Sequence, residues 1–420
     1  MSPLRRRVPT WSELRPLVRL EPPTLARVAA ALRRAQTIED LRLLARRRTP
    51  RAVFDYVDGA AEGELSLARS RRAFADVEFR PRVLRDVRQV DSRVELLGVT
   101  SPVPLVLAPT GFTRMMHTQG EWAVARAAAA AGVPYTLSTM GTVSVEELAA
   151  DVPDVQRWFQ LYLWQDREAS RELIRRAAGA GYGTLVLTVD TAVAGQRLRD
   201  VRNGLTIPPA LTARTLGGMA LHPRWWVDLL TSEPIEFASL RTSGGTVADL
   251  VDRMFDPGVT TDDLAWLRQE WPGQIVVKGV QHPQDAAQLV ALGVDGIVLS
   301  NHGGRQLDRA VAPLDLLPEV RAAVGPDVPL LVDGGVLHGA DVVAARARGA
   351  DAVMVGRAYL YGLMAGGEAG VARSLEILVT QVHRTLRLLG VSRLADLGPE
   401  HAPPARHTRD VLDAGLPPTP

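Results

Sequence analysis

Two side chains that suit acid–base chemistry stand close together in the stretch Ser300–Asp308. His302 can exchange a proton near neutral pH. Arg305 is a permanent cation whose parallel donors fit a carboxylate. The stretch follows the apolar run 295–299 and contains two glycines, as expected for a polar turn after a buried strand. This pairing predicts proton abstraction from a small carboxylic acid, and the alternative is a solvated surface turn.

A second candidate is the single lysine of the chain, Lys278. The sequence has 49 lysine and arginine residues, and all of them except Lys278 are arginine. Arginine is therefore accepted almost everywhere, so a retained lysine indicates a position that needs a compact, positionable charge. We expect Lys278 to be a functional residue.

Eight short apolar runs repeat along the chain and would have to position these side chains. Each run is rich in β-branched or aromatic residues and ends in a polar or small residue, which is typical of buried parallel strands. Helical patterns separate most of them, so the sequence predicts an α/β fold, a (β/α)8 TIM barrel, with a doubly wound sheet as the alternative. The runs are 104–109, 134–138, 157–162, 184–190, 274–278, 296–300, 329–333 and 352–356.

Residues 1–36 are rich in arginine and proline and predict a basic N-terminal arm with one short helix near 25–34. Thr37 is expected to cap the next helix, because an acid-rich first turn follows it. Gly59 is expected to end the helix after that. One or two closing helices are expected at 371–389.

The barrel is expected over residues 37–395, with a C-terminal tail at 396–420. A long connection after the fourth strand predicts a lid or insertion at 195–265, on the face where barrels carry their active sites. It contains the cluster His222–Trp226. Paired tryptophans beside arginines also suit a membrane interface, which stays open as the second interpretation.

In a TIM barrel the chemistry lies at the carboxyl ends of the strands. Here those ends collect a histidine, acids, the lysine and two arginines, and the last two strands end in Gly-Gly and Gly-Arg, a pattern typical of phosphate binding. No histidine pair with metal-ligand spacing falls there. The sequence therefore predicts a phosphate-bearing cofactor, a small anionic substrate and a histidine base. The strand-end residues are Pro109, Thr110, Gly111, Ser138, Gln160, Tyr162, Thr188, Asp190, Lys278, Ser300, His302, Arg305, Asp333, Gly334, Gly335, Gly356 and Arg357.

The composition argues against several classes of protein. The chain has no cysteine, which excludes disulfides and thiol-based metal sites or nucleophiles. Its formal net charge of +2 gives no reason to expect a nucleic-acid partner. We find neither an apolar run of about eighteen residues nor a secretory signal. We expect a cytoplasmic protein, with peripheral contact at the inner face of the cell membrane as the open alternative.

Eight motifs in order along the chain carry a resemblance to a known family. They are Phe54-Asp55-Tyr56, Pro109-Thr110-Gly111, Phe159–Tyr162, Leu187–Asp190, Val277-Lys278-Gly279, Ser300–Asp308, Asp333-Gly334-Gly335 and Val355-Gly356-Arg357. The chain resembles the FMN-dependent L-2-hydroxy acid dehydrogenase/oxidase family, and most of all its bacterial L-lactate dehydrogenases. The stretch Ser300–Asp308 is highly specific to that family, and the resemblance spans residues 37–395.

The resemblance implies oxidation of an L-2-hydroxy acid, with L-lactate as the best guess, to the 2-oxo acid while FMN is reduced. It implies that His302 is the base, that Asp190 orients it, and that Tyr162 donates to the substrate oxygen. The residues implied to contact the substrate are Tyr56, Arg197, Arg305 and Met140. A tryptophan stands at the Met140 position in glycolate oxidases, so a different side-chain pocket is expected here.

The resemblance also implies a flavin across the barrel mouth, with Lys278 stabilising the anionic reduced ring. The other residues implied to bind the cofactor are Pro109, Thr110, Gly111, Ser138, Gln160, Thr188, Ser300, Asp333, Gly334, Gly335, Gly356 and Arg357. The family usually carries two arginines after the Gly-Gly motif, one of which contacts the phosphate. Here those positions are Leu337 and His338, so that contact is lost or moved.

Three further points follow from the resemblance or compete with it. Reoxidation of the flavin needs a separate acceptor: a quinone, a carrier protein or O2. Similar proteins are commonly tetramers, so a homo-oligomer is expected. The alternatives are an oxidase acting on a mandelate- or glycolate-like acid and, from another enzyme class, a Schiff-base aldolase that uses Lys278.

Overall fold

The computed structural model describes residues 27–204, 222–233, 235 and 255–403. Most of the predicted arm, much of the predicted insertion and the end of the predicted tail lie outside the described residues. The lid interpretation of 195–265 therefore stays a prediction.

Eight parallel strands close into a barrel in chain order, with the last strand paired to the first. This closure confirms the TIM barrel and excludes a doubly wound sheet, which has open edges. Each predicted apolar run coincides with one barrel strand, and β7 extends two residues beyond its run. The strands are the hairpin β1 (Val94–Leu96) and β2 (Val99–Ser101), followed by the barrel strands β3 (Leu105–Leu107), β4 (Tyr135–Ser138), β5 (Arg157–Leu161), β6 (Thr184–Thr188), β7 (Gln274–Val280), β8 (Gly296–Ser300), β9 (Leu330–Asp333) and β10 (Ala352–Val355).

The inside of the barrel is a packed core rather than a pore. Side chains such as Trp158, Val298 and Met354 meet there and are almost fully buried. Leu96 of the β1–β2 hairpin joins this interior cluster, and its neighbour Leu97 packs against it. The hairpin thereby covers the amino-terminal mouth of the barrel, so the opposite mouth is left for a ligand.

Helices surround the barrel and precede it. The helix that begins at Arg357 is longer than the expected closing helix and is interrupted at Gly366 and Gly367, where the dihedral angles are not helical. The helices are α1 (Arg27–Arg34), α2 (Ile38–Arg48), α3 (Arg51–Asp58), α4 (Leu65–Ala75), α5 (Thr113–Met116), α6 (Gly120–Ala131), α7 (Val145–Asp151), α8 (Arg167–Gly179), α9 (Leu198–Asn203), α10 (Pro223–Leu230), α11 (Asp262–Glu270), α12 (Pro283–Ala291), α13 (Pro313–Val324), α14 (Gly339–Ala347) and α15 (Arg357–Leu389).

The expected ends of the first helices are confirmed. Thr37 caps α2, because its side chain accepts from the amide of Asp40 while the Asp40 carboxylate accepts from the Thr37 amide. Gly59 is the C-cap of α3. Packing also continues beyond residue 395, since Ala402 is buried and the amide of Arg80 donates to the His401 carbonyl at 2.9 Å.

Candidate active site

A cavity of about 830 Å³ opens at the carboxyl ends of the barrel strands. Its size falls in the range that holds a cofactor-sized ligand. Four further predicted residues, Gln160, Thr188, Asp190 and Ser300, lie at the same strand ends. The predicted site residues that line the cavity itself are Tyr56, Pro109, Thr110, Gly111, Ser138, Met140, Tyr162, Arg197, Lys278, His302, Arg305, Asp333, Gly334, Gly335, Gly356 and Arg357.

His302 and Asp190 form a hydrogen-bonded pair at the cavity wall. The Nδ1 atom of His302 lies 2.9 Å from Oδ1 of Asp190, whose side chain is only 4% exposed. Burial raises the pKa of Asp190, but the charges of His302 and Lys278 outweigh it and the net shift is downward. Asp190 therefore stays ionised and favours the positively charged form of the imidazole. Because Nδ1 is used by Asp190, Nε2 is the nitrogen that can take a proton from a substrate.

Lys278 is held at the centre of the site by two neighbouring strands. Its Nζ lies 2.9 Å from Oδ2 of Asp333 and donates to Oγ of Ser300 at 3.1 Å. Burial lowers the pKa of Lys278, yet the carboxylates of Asp333 and Asp190 outweigh it and raise the pKa. The ammonium therefore keeps its proton. A Schiff-base lysine needs a free amine, so this environment argues against the aldolase.

Asp333, one of the residues predicted to bind the cofactor, has a carboxylate that contacts other side chains of the site. Oδ2 accepts from Ser300 Oγ at 2.8 Å as well as pairing with Lys278. The Ser300 hydroxyl in turn accepts the amide of His302 at 2.9 Å. One hydrogen-bonded chain thus ties the lysine to the backbone of the histidine, and Asp333 positions Lys278.

Two buried polar atoms beside the cavity fit a flavin ring. Gln160 Nε2 and Thr188 Oγ1 have no hydrogen-bond partner among the residues that the structure describes. The carbonyl end of the Gln160 amide is fixed, since Oε1 accepts from Ser138 Oγ at 3.0 Å and from the amide of Thr139. An amide donor, a hydroxyl and the Lys278 cation suit the carbonyl-rich edge of a flavin, and buried polar groups of this kind require a partner.

Arg305 and Arg197 bring two positive charges to one side of the cavity. Their guanidinium carbons lie 4.9 and 5.5 Å from the centroid of the Tyr56 ring. Arg197 pairs with Asp200 at 2.7 Å, whereas Arg305 donates to the carbonyls of Tyr56 and Gly59 and has no carboxylate partner in the described part of the chain. Burial and the charge of Arg197 lower the pKa of Arg305 to about 10. An anionic ligand would relieve this cost.

Tyr162 and Met140 lie at the same end of the cavity, together with Phe255, which sequence reasoning missed. Burial and the charge of Asp190 raise the pKa of Tyr162, so its hydroxyl stays a donor. The Phe255 ring meets the Tyr162 ring edge to face at 5.5 Å. Phe255 lies near the end of the predicted insertion and has no polar group that would have marked it in the sequence.

Glycines line another part of the cavity, which we call its glycine end. Gly334 and Gly335 have φ of +102° and +90°, a backbone that L side chains rarely adopt. Gly356 precedes the first residue of α15, so this end combines close backbone with a helix N-terminus, as phosphate sites do. Arg357 also lines it, but its guanidinium donates to the carbonyls of Val57, Gly303 and Gly59 at 2.7–2.9 Å.

The remaining residues of the Ser300–Asp308 stretch hold the site in place. Gln306 donates to the carbonyls of Asp190 and Val193 and accepts from the amide of Gly195, which fixes the loop after β6. Asp308 accepts the amides of Gly63 and Ser66 and so anchors the start of α4. The motif that carried the prediction therefore contains scaffold residues as well as chemical ones, and the sequence alone did not separate them.

The part of the chain that the structure describes has neither a candidate metal site nor a candidate membrane-spanning helix. No group of histidine and acidic side chains there could hold a metal ion. No helix within 27–204, 222–233 or 255–403 is long and apolar enough to cross a membrane.

Comparisons with known proteins agree with this geometry. Residues 45–403 match the FMN-dependent dehydrogenase family. The chain belongs to this family. One relative is a protein of Mycobacterium tuberculosis that is provisionally named L-lactate dehydrogenase. It is 56% identical to this chain over 398 residues, and the match covers 95% of this chain and 96% of the relative. The L-lactate dehydrogenase of Stenotrophomonas maltophilia is 42% identical, covering 86% and 96%.

A crystal structure of the monotopic membrane protein (S)-mandelate dehydrogenase is similar to the structure of this chain, with a TM-score of 0.85. Its sequence is 39% identical, and the match covers 88% of this chain and 99% of that one. The predicted family, fold and cofactor are confirmed: the chain is an FMN-dependent dehydrogenase built on a TIM barrel.

Proposed function

We propose that the protein oxidises an L-2-hydroxy acid with a small side chain, with L-lactate as the best candidate, and that His302 is the base. The observation that carries this proposal is the His302–Asp190 pair, which faces the same cavity as Arg305, a buried arginine with no carboxylate partner among the described residues. A base and such a cation in one cavity suit a substrate that carries both a removable proton and a carboxylate.

Each residue has a separate task in this proposal. Nε2 of His302 takes one substrate proton, and Asp190 stabilises the resulting imidazolium. Arg305, Arg197 and Tyr56 hold the carboxylate. Tyr162 donates a hydrogen bond to the substrate oxygen as it becomes a carbonyl oxygen.

The cofactor residues divide into two groups. FMN, when bound, supplies the electron-accepting chemistry. Lys278 and the amide of Gln160 would hold the carbonyl edge of its ring, together with the Ser138, Thr188 and Ser300 hydroxyls and the Pro109–Gly111 backbone. Gly334, Gly335, Gly356 and Arg357 would hold its phosphate end, and Asp333 keeps the Lys278 ammonium in position.

Anaerobic mixing of the FMN-loaded protein with L-lactate or D-lactate tests this function. The absorbance of the oxidised flavin should bleach with the L-acid and persist with the D-acid. The proposal is wrong if the flavin stays oxidised with L-lactate, L-mandelate and longer L-2-hydroxy acids. Later admission of O2 or a quinone analogue identifies the acceptor class.

We also propose that the protein contacts a membrane peripherally through α10, and that it is a homotetramer. The support for the membrane contact is that Val227 and Leu230 of α10 are 59% and 73% exposed, while Trp225 anchors the helix by donating to the Met115 carbonyl at 3.2 Å. The similar (S)-mandelate dehydrogenase is described as monotopic. An exposed apolar face beside tryptophans suits the membrane interface.

Sedimentation with vesicles of phosphatidylglycerol and phosphatidylethanolamine tests the membrane contact. The double variant Val227→Asp/Leu230→Asp should stay in the supernatant instead of sedimenting with the vesicles. Leu388→Asp, at a position that is 72% exposed on α15, is the matched control and should still sediment. Equal sedimentation of all three proteins would rule out α10 as the contact. Light scattering after gel filtration gives the oligomeric state.

A further inference from the structure

Helix α4 packs directly against the glycine end of the cavity. A Cβ atom built on Gly335 would lie 2.8 Å from the carbonyl oxygen of Ser70. The next residue of the helix, Arg71, lines the cavity, and its Nη1 donates to the Gly335 carbonyl. An arginine from outside the barrel is therefore in contact with the loop that has the backbone of a phosphate site.

The other groups at this end leave little positive charge for a phosphate. Leu337, which follows the Gly334-Gly335 turn, is apolar and lines the cavity. Arg357 is the other cation there, and its guanidinium is shared among three backbone carbonyls. A phosphate dianion commonly uses a planar arginine fork in addition to backbone amides.

Arg71 has donors to spare. Nη1 donates both hydrogen bonds that the guanidinium makes to described residues. One goes to the Gly335 carbonyl and the other, at 2.8 Å, to Oδ2 of Asp341. Nε and Nη2 have no hydrogen-bond partner among the residues that the structure describes, and the side chain is 36% exposed. The guanidinium is thus fixed on one side and open on the other.

We propose that Arg71 binds the phosphate of FMN and supplies the cation that Leu337 does not. The role is electrostatic and leaves the reacting atoms untouched. The inference rests on FMN as the cofactor and is independent of which acid is oxidised.

A merely structural role for Arg71 is the competing explanation. Asp341 also accepts the amides of Leu337 and His338 at 2.8 and 2.9 Å, so its pairing with Arg71 could serve only to fix this turn. A structural residue would support flavin binding in general, whereas a phosphate ligand would distinguish FMN from riboflavin, which lacks the phosphate.

Equilibrium dialysis of the full-length protein against FMN or riboflavin separates the two roles. Arg71→Ala should weaken FMN binding roughly 10- to 100-fold, the usual effect of losing hydrogen bonds to a charged group, and leave riboflavin binding within about 3-fold. Arg71→Lys should restore part of the FMN affinity. Arg72→Ala is the matched control, because Arg72 points to solvent and pairs with Asp76.

The proposal is overturned if Arg71→Ala leaves FMN affinity unchanged, or weakens FMN and riboflavin equally. Asp341→Asn adds a second readout, because it removes the pairing carboxylate and keeps Arg71. If Asp341→Asn reproduces the full FMN-selective loss of Arg71→Ala, Arg71 acts only through the turn. Both experiments measure flavin binding. A result that overturns the role of Arg71 would therefore not count against the proposed oxidation of the acid.

Discussion

The two ends of the cavity are built from different kinds of groups. At the substrate end, charged and polar side chains form the wall and some are held by specific partners, as Asp190 holds His302 and the Tyr56 carbonyl holds Arg305. At the glycine end, backbone with positive φ forms the wall, and the arginines bond to carbonyl oxygens. The first end is suited to moving a proton and the second to holding an anion still.

This difference separates two kinds of damage. Variants of the substrate end should lower the rate of flavin reduction while the protein keeps its FMN. Variants of the glycine end should lower FMN content while molecules that retain FMN react normally. A variant that does both would indicate that the two ends are coupled through the Lys278–Asp333–Ser300 chain that runs between them.

The largest effect is expected from His302→Ala. Loss of the base should slow flavin reduction by about 10³- to 10⁴-fold, at the upper end of what a positioned base contributes. Stopped-flow bleaching measures the rate, and the absorbance of the purified protein gives the FMN content, which should not change. His282→Ala, at the N-cap of α12 and away from the cavity, is the control. Near-normal reduction by His302→Ala would contradict the assignment.

Asp190→Asn should slow flavin reduction by roughly 10²-fold, because the imidazolium loses its ionised partner. The pKa of Asp190 is lowered, so in the native protein it is an ionised partner of His302 at neutral pH. Stopped-flow bleaching measures the rate, and the FMN content should not change. A near-native rate would count against the pair.

The barrel and the meeting of His302 with Asp190 could be predicted from sequence for definite physical reasons. Parallel strands are covered on both faces, so they leave continuous apolar runs, and strand ends meet at one mouth, which brought Asp190 and His302 together. Hairpin β1–β2 was missed because strands of three residues give no measurable period. Arg71 was missed because one arginine among so many carries no signal until the packing of α4 is known.

Arg305→Lys should raise the KM for the acid about 10- to 100-fold with a smaller change in kcat, because an ammonium cannot reproduce the arginine fork. In the native protein, burial and Arg197 lower the pKa of Arg305 to about 10. Inhibition by the 2-oxo acid measures the loss of carboxylate affinity. A KM close to the native value in Arg305→Lys would contradict this role of the arginine fork.

The smallest effect is expected from Phe255→Ala, which should change selectivity rather than chemistry. The Phe255 ring lies against Tyr162 at the substrate end, where Met140 also lines the cavity, so it limits the room for a substrate side chain. Removing the ring should raise kcat/KM for mandelate relative to L-lactate about 10-fold, the scale of a pocket-size change.

FMN content and the rate with L-lactate should change less than this ratio. Phe159→Ala is unsuitable as a control because Phe159 is fully buried in the core, so Trp266→Ala, on the outer helix α11, is the matched removal of an aromatic ring. If Phe255→Ala and Trp266→Ala give the same selectivity ratio, Phe255 does not line the pocket for the substrate side chain. Met140 is then the remaining candidate for that pocket. If Phe255→Ala shifts the mandelate-to-lactate ratio while FMN content stays normal, selectivity is determined at the substrate end of the cavity.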